Sequence, residues 1–292
     1  MFDQSPPNLS TPGSLSSPNI AVFTGGSFNS PGIYTDLLQS TFTTVVLWSV
    51  RVDPLGNMSY AGPAGSLATN GVFNPNADAP TTAWQQQVVA LKNTAGSPVT
   101  RVELCFGVGS SPPDETFPNI MAIYNAMCDS GRKNLLDNLK AVKTALNLDA
   151  ICFDDEVQYD LASSLWFAQA ARYLGMTVTI APYCMSNYWS TLVSAANANG
   201  TLIDANYLQC FSSGLSAEWT FGGLNPVAGM WLNQSTPSLS PTAATQQLQA
   251  LIQSSPRVTL SGGWYYNAGE ILANANLWTF NQYSQAIADA LA

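Results

Sequence analysis

Eight short runs of β-branched and other apolar residues recur along the chain, and most are followed by a stretch with helical periodicity. The runs are Ile20–Thr24, Thr43–Val50, Arg101–Gly107, Asp149–Asp154, Met176–Ala181, Leu202–Phe211, Val227–Leu232 and Val258–Tyr266. Helical patterns fall at Thr82–Asn93, Arg132–Leu146, Leu161–Leu174, Tyr188–Asn197, Ala243–Ser254 and Leu277–Leu291. In the second of these, Leu135, Leu136, Leu139, Val142 and Leu146 repeat at the three- and four-residue spacing that lines one face of a helix. Gly175, directly after Leu174, supplies a helix stop before the next run. Strands alternating with helices predict a parallel sheet with helices packed against it, and eight such units predict an α/β fold of the closed (β/α)8 TIM-barrel type. The competing open, doubly wound sheet would want a glycine-rich phosphate turn after its first strand. Thr24-Gly25-Gly26-Ser27-Phe28-Asn29 lacks that spacing. Two crossovers are thin: Pro31–Ser40 is short, and Gly214–Gly223 has little helical pattern. Residues 1–18, with Pro6, Pro7, Pro12 and Pro18 among Ser, Thr and Asn, read as an extended arm. The expected domain is then a single barrel over residues 19–292.

Composition bounds the chemistry. Charged residues make up only 9% of the chain, acidic residues number 18 against 9 basic, and histidine is absent. Imidazole acid/base chemistry, His-containing triads and His-ligated zinc are therefore excluded. The net charge of −9 argues against a nucleic-acid partner. No segment has the roughly 20 apolar residues that span a bilayer. The start, Met1-Phe2-Asp3-Gln4-Ser5-Pro6-Pro7, lacks a basic region followed by an apolar one, so no secretory signal is read there. The expectation is a cytoplasmic protein, or one exported by a non-classical route, and a monomer. The cysteines (105, 128, 152, 184, 210) are odd in number with no C-x-x-C pair, which suggests neither a disulfide framework nor a zinc site. A catalytic thiol would need a neighbouring base, and there is no His to serve. No metal and no cofactor are expected.

The most informative stretch is Leu148-Asp149-Ala150-Ile151-Cys152-Phe153-Asp154-Asp155-Glu156. Side chains alternate faces along a strand, so Ala150, Cys152, Asp154 and Glu156 share one face and Ile151, Phe153 and Asp155 the other. The large apolar pair suits the face under the helices. The first set then points into the barrel, with carboxylates rising to the C-terminal rim where active sites of this fold lie. Two carboxylates in one enclosed rim resist ionising together, so one keeps a proton near neutrality. A protonated carboxyl beside an ionised one is the equipment of acid-catalysed glycosidic cleavage. The plainer alternative is an acidic rim that caps the next helix. Calcium held by Asp154, Asp155, Glu156 and Asp160 lacks the EF-hand spacing.

This stretch resembles the D-G-x-D-x-D-x-E signature of glycoside hydrolase family 18, which includes chitinases and endo-β-N-acetylglucosaminidases. Ala181-Pro182 at the end of the fifth run, Gln209-Cys210-Phe211 in the sixth, and Tyr265-Tyr266-Asn267 followed by Glu270 extend the likeness. The resemblance implies an N-acetylglucosamine-containing glycan as partner, chitin or an N-glycan core, and cleavage assisted by the substrate's own acetamido group. It implies Glu156 as general acid and Asp154 as the group that orients and stabilises the acetamide. Three positions depart from the family pattern, of which Ala150 for Gly is the mildest. Cys152 stands where the family has a deeper Asp, and Phe211 replaces a Tyr whose hydroxyl holds the acetamide oxygen. Tyr207 and Tyr266 are the candidates to supply that hydroxyl. The alternative these departures raise is a barrel that binds glycan without turning it over.

Aromatic residues near the strand ends could stack on sugar faces. Trp264 and Tyr266 share a strand face, Trp231 ends the seventh run, and Tyr183 follows Ala181-Pro182. Together with Gln209, Phe211 and Tyr207 they form the expected substrate-binding set. Trp48, on the second run, reads as core. Asp53-Pro54-Leu55-Gly56-Asn57 reads as a hairpin tip. The long segments 51–81 and 108–131 follow the second and third runs, so they lie at the rim and would wall a groove.

Overall fold

The computed structural model describes residues 18–25, 32–60, 66–75, 83–107, 115–126, 129–211, 218–234 and 238–292. The expected arm, apart from Pro18, and parts of the rim segments lie outside these residues. From β1 (Asn19–Phe23) the chain passes through α1 (Ile33–Leu38) to β2 (Thr44–Val52). Three short strands follow, β3 (Met58–Tyr60), β4 (Ser66–Thr69) and β5 (Val72–Phe73). Helix α2 (Trp84–Asn93) leads to β6 (Arg101–Gly107), and α3 (Thr116–Asn125) and α4 (Asp129–Leu146) lead to β7 (Ala150–Asp154). Then come α5 (Leu161–Tyr173), β8 (Thr177–Ile180), α6 (Ser186–Asn197), β9 (Ile203–Leu208) and β10 (Pro226–Met230). The chain closes with α7 (Pro241–Ser254), β11 (Gly262–Tyr265), α8 (Ala268–Ala273) and α9 (Phe280–Leu291).

Eight parallel strands run in the order β1, β2, β6, β7, β8, β9, β10, β11, and β1 pairs with both β2 and β11. The sheet is thus a closed (β/α)8 TIM barrel, as the alternation predicts. The sequence reading missed the strands after β2 and placed the start of the eighth run too early, while the sixth crossover is as thin as expected. The strands β3 to β5 extend β2 as an antiparallel flap, with Val50 opposite Tyr60 and Val52 opposite Met58. Asp53 closes the first turn of that flap by accepting from Leu55 and Asn57 backbone N–H groups at 2.9 and 2.8 Å. Helix α1 fills the short first crossover. No helix forms among the described residues between β9 and β10, where Phe221 and Leu224 make an isolated bridge instead. The eighth run also begins later than expected, because Val258 bonds back to Ser255 in a turn and pairing starts at Gly262.

Two cores follow from strand alternation. Ile151, Phe153, Val178, Ile180, Leu104 and Phe106 face outward and pack beneath the helices. The barrel interior holds Ala21, Val46, Cys105, Cys152, Ala181, Ala205 and Val227, small enough to leave room for Phe23, Tyr207 and Trp264. Eight strands enclose just enough space for side chains, so this interior is packed rather than a pore. Its floor is polar. Arg101, fully buried, contacts Glu103 at 2.6 Å and grips both oxygens of Asp204 at 2.9 and 3.0 Å. Glu103 also accepts from Thr179 at 2.6 Å and from the Tyr207 hydroxyl at 2.9 Å. A buried charge survives only when its lone pairs and protons are matched in this way. Above that floor the small residues leave the C-terminal end open for the site.

Candidate active site

Strand β7 carries Cys152 and Asp154 inward and ends at Asp154, and Glu156 follows in the bend beyond it. Four acids within seven residues divide the local work. Asp155 turns away from the axis and accepts from the backbone N–H groups of Val157, Gln158 and Tyr159 at 3.1, 2.8 and 2.7 Å. Asp160 caps α5 by accepting from Ser163 N–H at 2.9 Å. The loop on which Glu156 sits is therefore held by its neighbours' carboxylates, and Asp154 and Glu156 are the two that face the barrel mouth. Asp154 fits there because β6 ends in Gly107. A Cβ at that position would lie 2.5 Å from the Asp154 Cβ.

The two carboxylates share one donor. Gln209 Nε2 donates to Asp154 Oδ1 at 3.0 Å and lies 3.1 Å from Glu156 Oε1 and 3.1 Å from the Ala181 carbonyl. Asp154 Oδ2 accepts from the indole Nε1 of Trp48 at 3.0 Å. Trp48 is thus part of the site rather than of the core, a correction to the sequence reading. Its ring faces the axis because it lies two residues beyond inward-facing Val46, in register with Cys105. Burial, and then the charge of Glu156, push the Asp154 carboxyl up to about 8, with the Trp48 and Gln209 hydrogen bonds opposing. Asp154 is therefore the member of the pair whose protonated form is favoured near neutral pH, by burial first and by the Glu156 charge second. Cys105 and Cys152, opposite one another on β6 and β7, have their thiols raised by burial and form an uncharged layer beneath the pair.

These groups line a cavity of about 130 Å³. Asp154, Glu156, Gln209 and Trp48 form its polar side, and Phe23, Ala181, Trp264 and Tyr266 the rest. An apolar cavity of roughly 150 Å³ accepts benzene, so this one has room for a group of about half a dozen heavy atoms or fewer. Trp264 is 2% exposed and packs against Phe23 at 4.3 Å between ring centres. Tyr266 lies in the upper wall, 5.7 Å from Trp48 and 5.5 Å from Trp231. Burial and the nearby Asp154, Glu270 and Glu156 carboxylates raise its phenol.

The remaining expected residues fall at different depths. Phe211 bridges Trp231, Trp264 and Tyr266 at 5.9, 5.6 and 5.7 Å. Trp231, 36% exposed, is the outermost ring of this wall. Tyr183 is 40% exposed and is not among the cavity-lining residues. Tyr207 is fully buried, with its hydroxyl on Glu103 at the floor, so it is removed from the expected glycan-binding set. Of the two tyrosines considered as replacements for the missing hydroxyl, Tyr266 is the one beside the carboxylates.

A wider groove of about 600 Å³ runs along the barrel flank between α7 and α9. It is lined largely by Gln, Thr and Asn side chains, with Asp289 as its one carboxylate, and carries no acid pair. Among the described residues no group of three His, Cys, Asp or Glu side chains is placed to hold a metal ion. No helix among them is long and apolar enough to cross a membrane.

Neither known protein-family models nor curated protein sequences match the chain. Solved structures do. A chitinase from Chromobacterium violaceum superposes with a TM-score of 0.61 at 9% identity, over 95% of this chain and 99% of that one. A fungal endo-β-N-acetylglucosaminidase of glycosyl hydrolase family 18 gives 0.60 at 12% identity, over 86% and 90%. A chitinase-like agglutinin from Robinia pseudoacacia gives 0.56 at 12% identity, over 95% and 100%. The shared feature is the barrel, and it serves enzymes and an agglutinin alike.

Proposed function

We propose that the chain is a glycoside hydrolase that cleaves β-linked N-acetylglucosamine glycans, chitin or the chitobiose core of N-glycans, by a substrate-assisted retaining route. The observation that carries this reading is the Asp154–Gln209–Glu156 bridge at the edge of a cavity with room for an acetamido group. In the first step the glycosidic oxygen takes a proton from Glu156 as its bond to C1 breaks. The acetamido oxygen of the same sugar forms a new bond to C1, giving an oxazolinium ion. Asp154 in its ionised form accepts the acetamide N–H and offsets the positive charge that develops there. The proton that Asp154 holds in the free protein must then move off it, and the two carboxylates, both in contact with Gln209, titrate together as one pair. In the second step water attacks C1 from the vacated side, Glu156 takes its proton, and the acetamide reforms with retained configuration. Neither an enzyme nucleophile nor a metal is needed.

Phe211 and Cys152 support a second reading, a barrel that binds glycan without cleaving it. One experiment separates the two: wild type beside Glu156→Gln on chito-oligosaccharides and on a high-mannose glycoprotein, with products read by mass spectrometry. Cleavage by wild type and none by the variant, which should still bind, is the expected result. Retained cleavage in Glu156→Gln removes Glu156 from its role, and binding without cleavage in wild type selects the second reading.

A further inference from the structure

Outside the carboxylate pair and the Asp155 turn, another buried acid near the mouth of the barrel collects a set of donors. Glu270 lies on α8, 5% exposed, and its Oε2 accepts from the Leu232 backbone N–H at 3.0 Å. The neighbouring Trp231 indole and Asn233 N–H also favour the ionised form of Glu270, against the rise that burial causes. Its own backbone is fixed on both sides. Asn267 accepts from the Glu270 N–H at 2.9 Å, and Asn274 donates to the Glu270 carbonyl at 2.8 Å. One turn earlier, the Tyr266 N–H donates to the Met230 carbonyl at 2.9 Å. Residues 230 and 232 are thus both gripped from the segment after β11, and Trp231 stands between the two grips.

Trp231 needs such support. It follows the last residue of β10, it is 36% exposed, and its ring meets Tyr266 and Phe211 only at 5.5 and 5.9 Å. An exposed indole on a loop samples several rotamers, and a sugar must order it on binding at a cost in affinity. A carboxylate that fixes the backbone next to the ring, and whose ionised form the indole N–H favours, reduces that cost in advance.

We infer that Glu270 is a positioning residue that holds Trp231 as a pre-set sugar-stacking platform at the outer wall of the site. This rests on the glycan-directed reading above for its ligand, and on the Leu232 and Met230 backbone contacts for the clamp. Glu270 touches no reacting atom, so its effect falls on glycan binding and KM rather than on the bond-breaking step.

The test uses full-length protein in the Glu156→Gln background, with N,N′,N″-triacetylchitotriose as probe and calorimetry as readout. Trp231→Ala and Glu270→Ala should each weaken binding by about tenfold, the worth of a hydrogen bond to a charged group. The double variant should be no weaker than Trp231→Ala, because Glu270 acts through that ring. Glu270→Gln, which keeps an acceptor oxygen, should recover part of the loss. Full additivity, or binding by Glu270→Ala equal to that of its parent, overturns the proposal. A second readout needs no ligand. The fluorescence lost on Trp231→Phe isolates the Trp231 emission, and in Glu270→Ala that component should shift to the red and quench more readily with iodide. An unchanged component overturns the clamp even if the protein binds glycan. Failure of the parent to bind any chito-oligosaccharide, with the spectral change present, overturns the glycan reading and leaves the clamp standing.

Discussion

Trp48→Phe is the substitution that most directly tests the electrostatics of the carboxylate pair. Phenylalanine keeps an aromatic ring near Tyr266 but removes the N–H that reaches Asp154 Oδ2 at 3.0 Å. A hydrogen bond to a charged group is worth about 1.5–3 kcal/mol, and one pKa unit corresponds to about 1.4 kcal/mol, so its loss amounts to roughly one to two units. The bond favours the ionised carboxylate, so removing it raises the Asp154 pKa further, from about 8 to roughly 9 or 10. Two consequences follow for an enzyme in which the pair works with a single proton. The alkaline limb of the rate profile marks loss of that last proton, and it moves up by one to two pH units. At the same time the productive arrangement, with the proton on Glu156 and charge on Asp154, becomes harder to reach, so kcat/KM at pH 7 falls about tenfold to a hundredfold. The assay is a pH–kcat/KM series on a soluble chito-oligosaccharide from pH 4 to 10, whose limbs report groups of the free protein. General damage to the site lowers the rate without moving the limb upward. A limb that stays near 8, or moves toward acid, refutes the assignment of the upper titration to Asp154.

Asp154→Asn should change the pH dependence of stability. The folded pKa of about 8 lies above the ordinary value of 3.8, so this group's contribution is full below about pH 4 and is lost as pH rises through 8. Between pH 5 and 9, urea unfolding should show wild type losing on the order of a few kcal/mol more than the variant; equal losses in the two would contradict the shift. Gly229→Ala should act on the cavity wall, because a Cβ there meets Trp264 Cε2 and Cζ2 at 2.7 Å and the Leu208 carbonyl at 2.8 Å. The indole must move, at about 1–3 kcal/mol in stability and with loss of glycan affinity. An unchanged melting temperature and unchanged binding would show that the wall yields without cost.

What the sequence reveals about this site, and what it conceals, divides along a physical line. Alternation on a strand gives the face of a side chain, and it correctly turns Cys152 and Asp154 inward and Ile151 and Phe153 outward. It does not give height along the barrel axis, because height depends on the register between strands that meet only when the sheet closes. Tyr207 and Gln209 share a strand parity. One ends on Glu103 at the floor and the other on the carboxylate pair. Trp48 carried the same kind of signal as Asp154, two residues past inward-facing Val46, and its place at the mouth follows from its pairing opposite Cys105 on β6. The flap strands β3 to β5, of two to four residues, are shorter than the window in which alternation can be recognised. Helix α3 has Pro118 in its first turn, where proline is tolerated, so a residue that reads as a breaker lies inside the helix. Glu270 shows the limit most clearly. Nothing within ten residues of it in sequence explains a buried carboxylate, and its donors come from a loop that ends more than thirty positions earlier. Such a residue is recognised by counting what satisfies its oxygens, and that count exists only once β10 and β11 lie side by side.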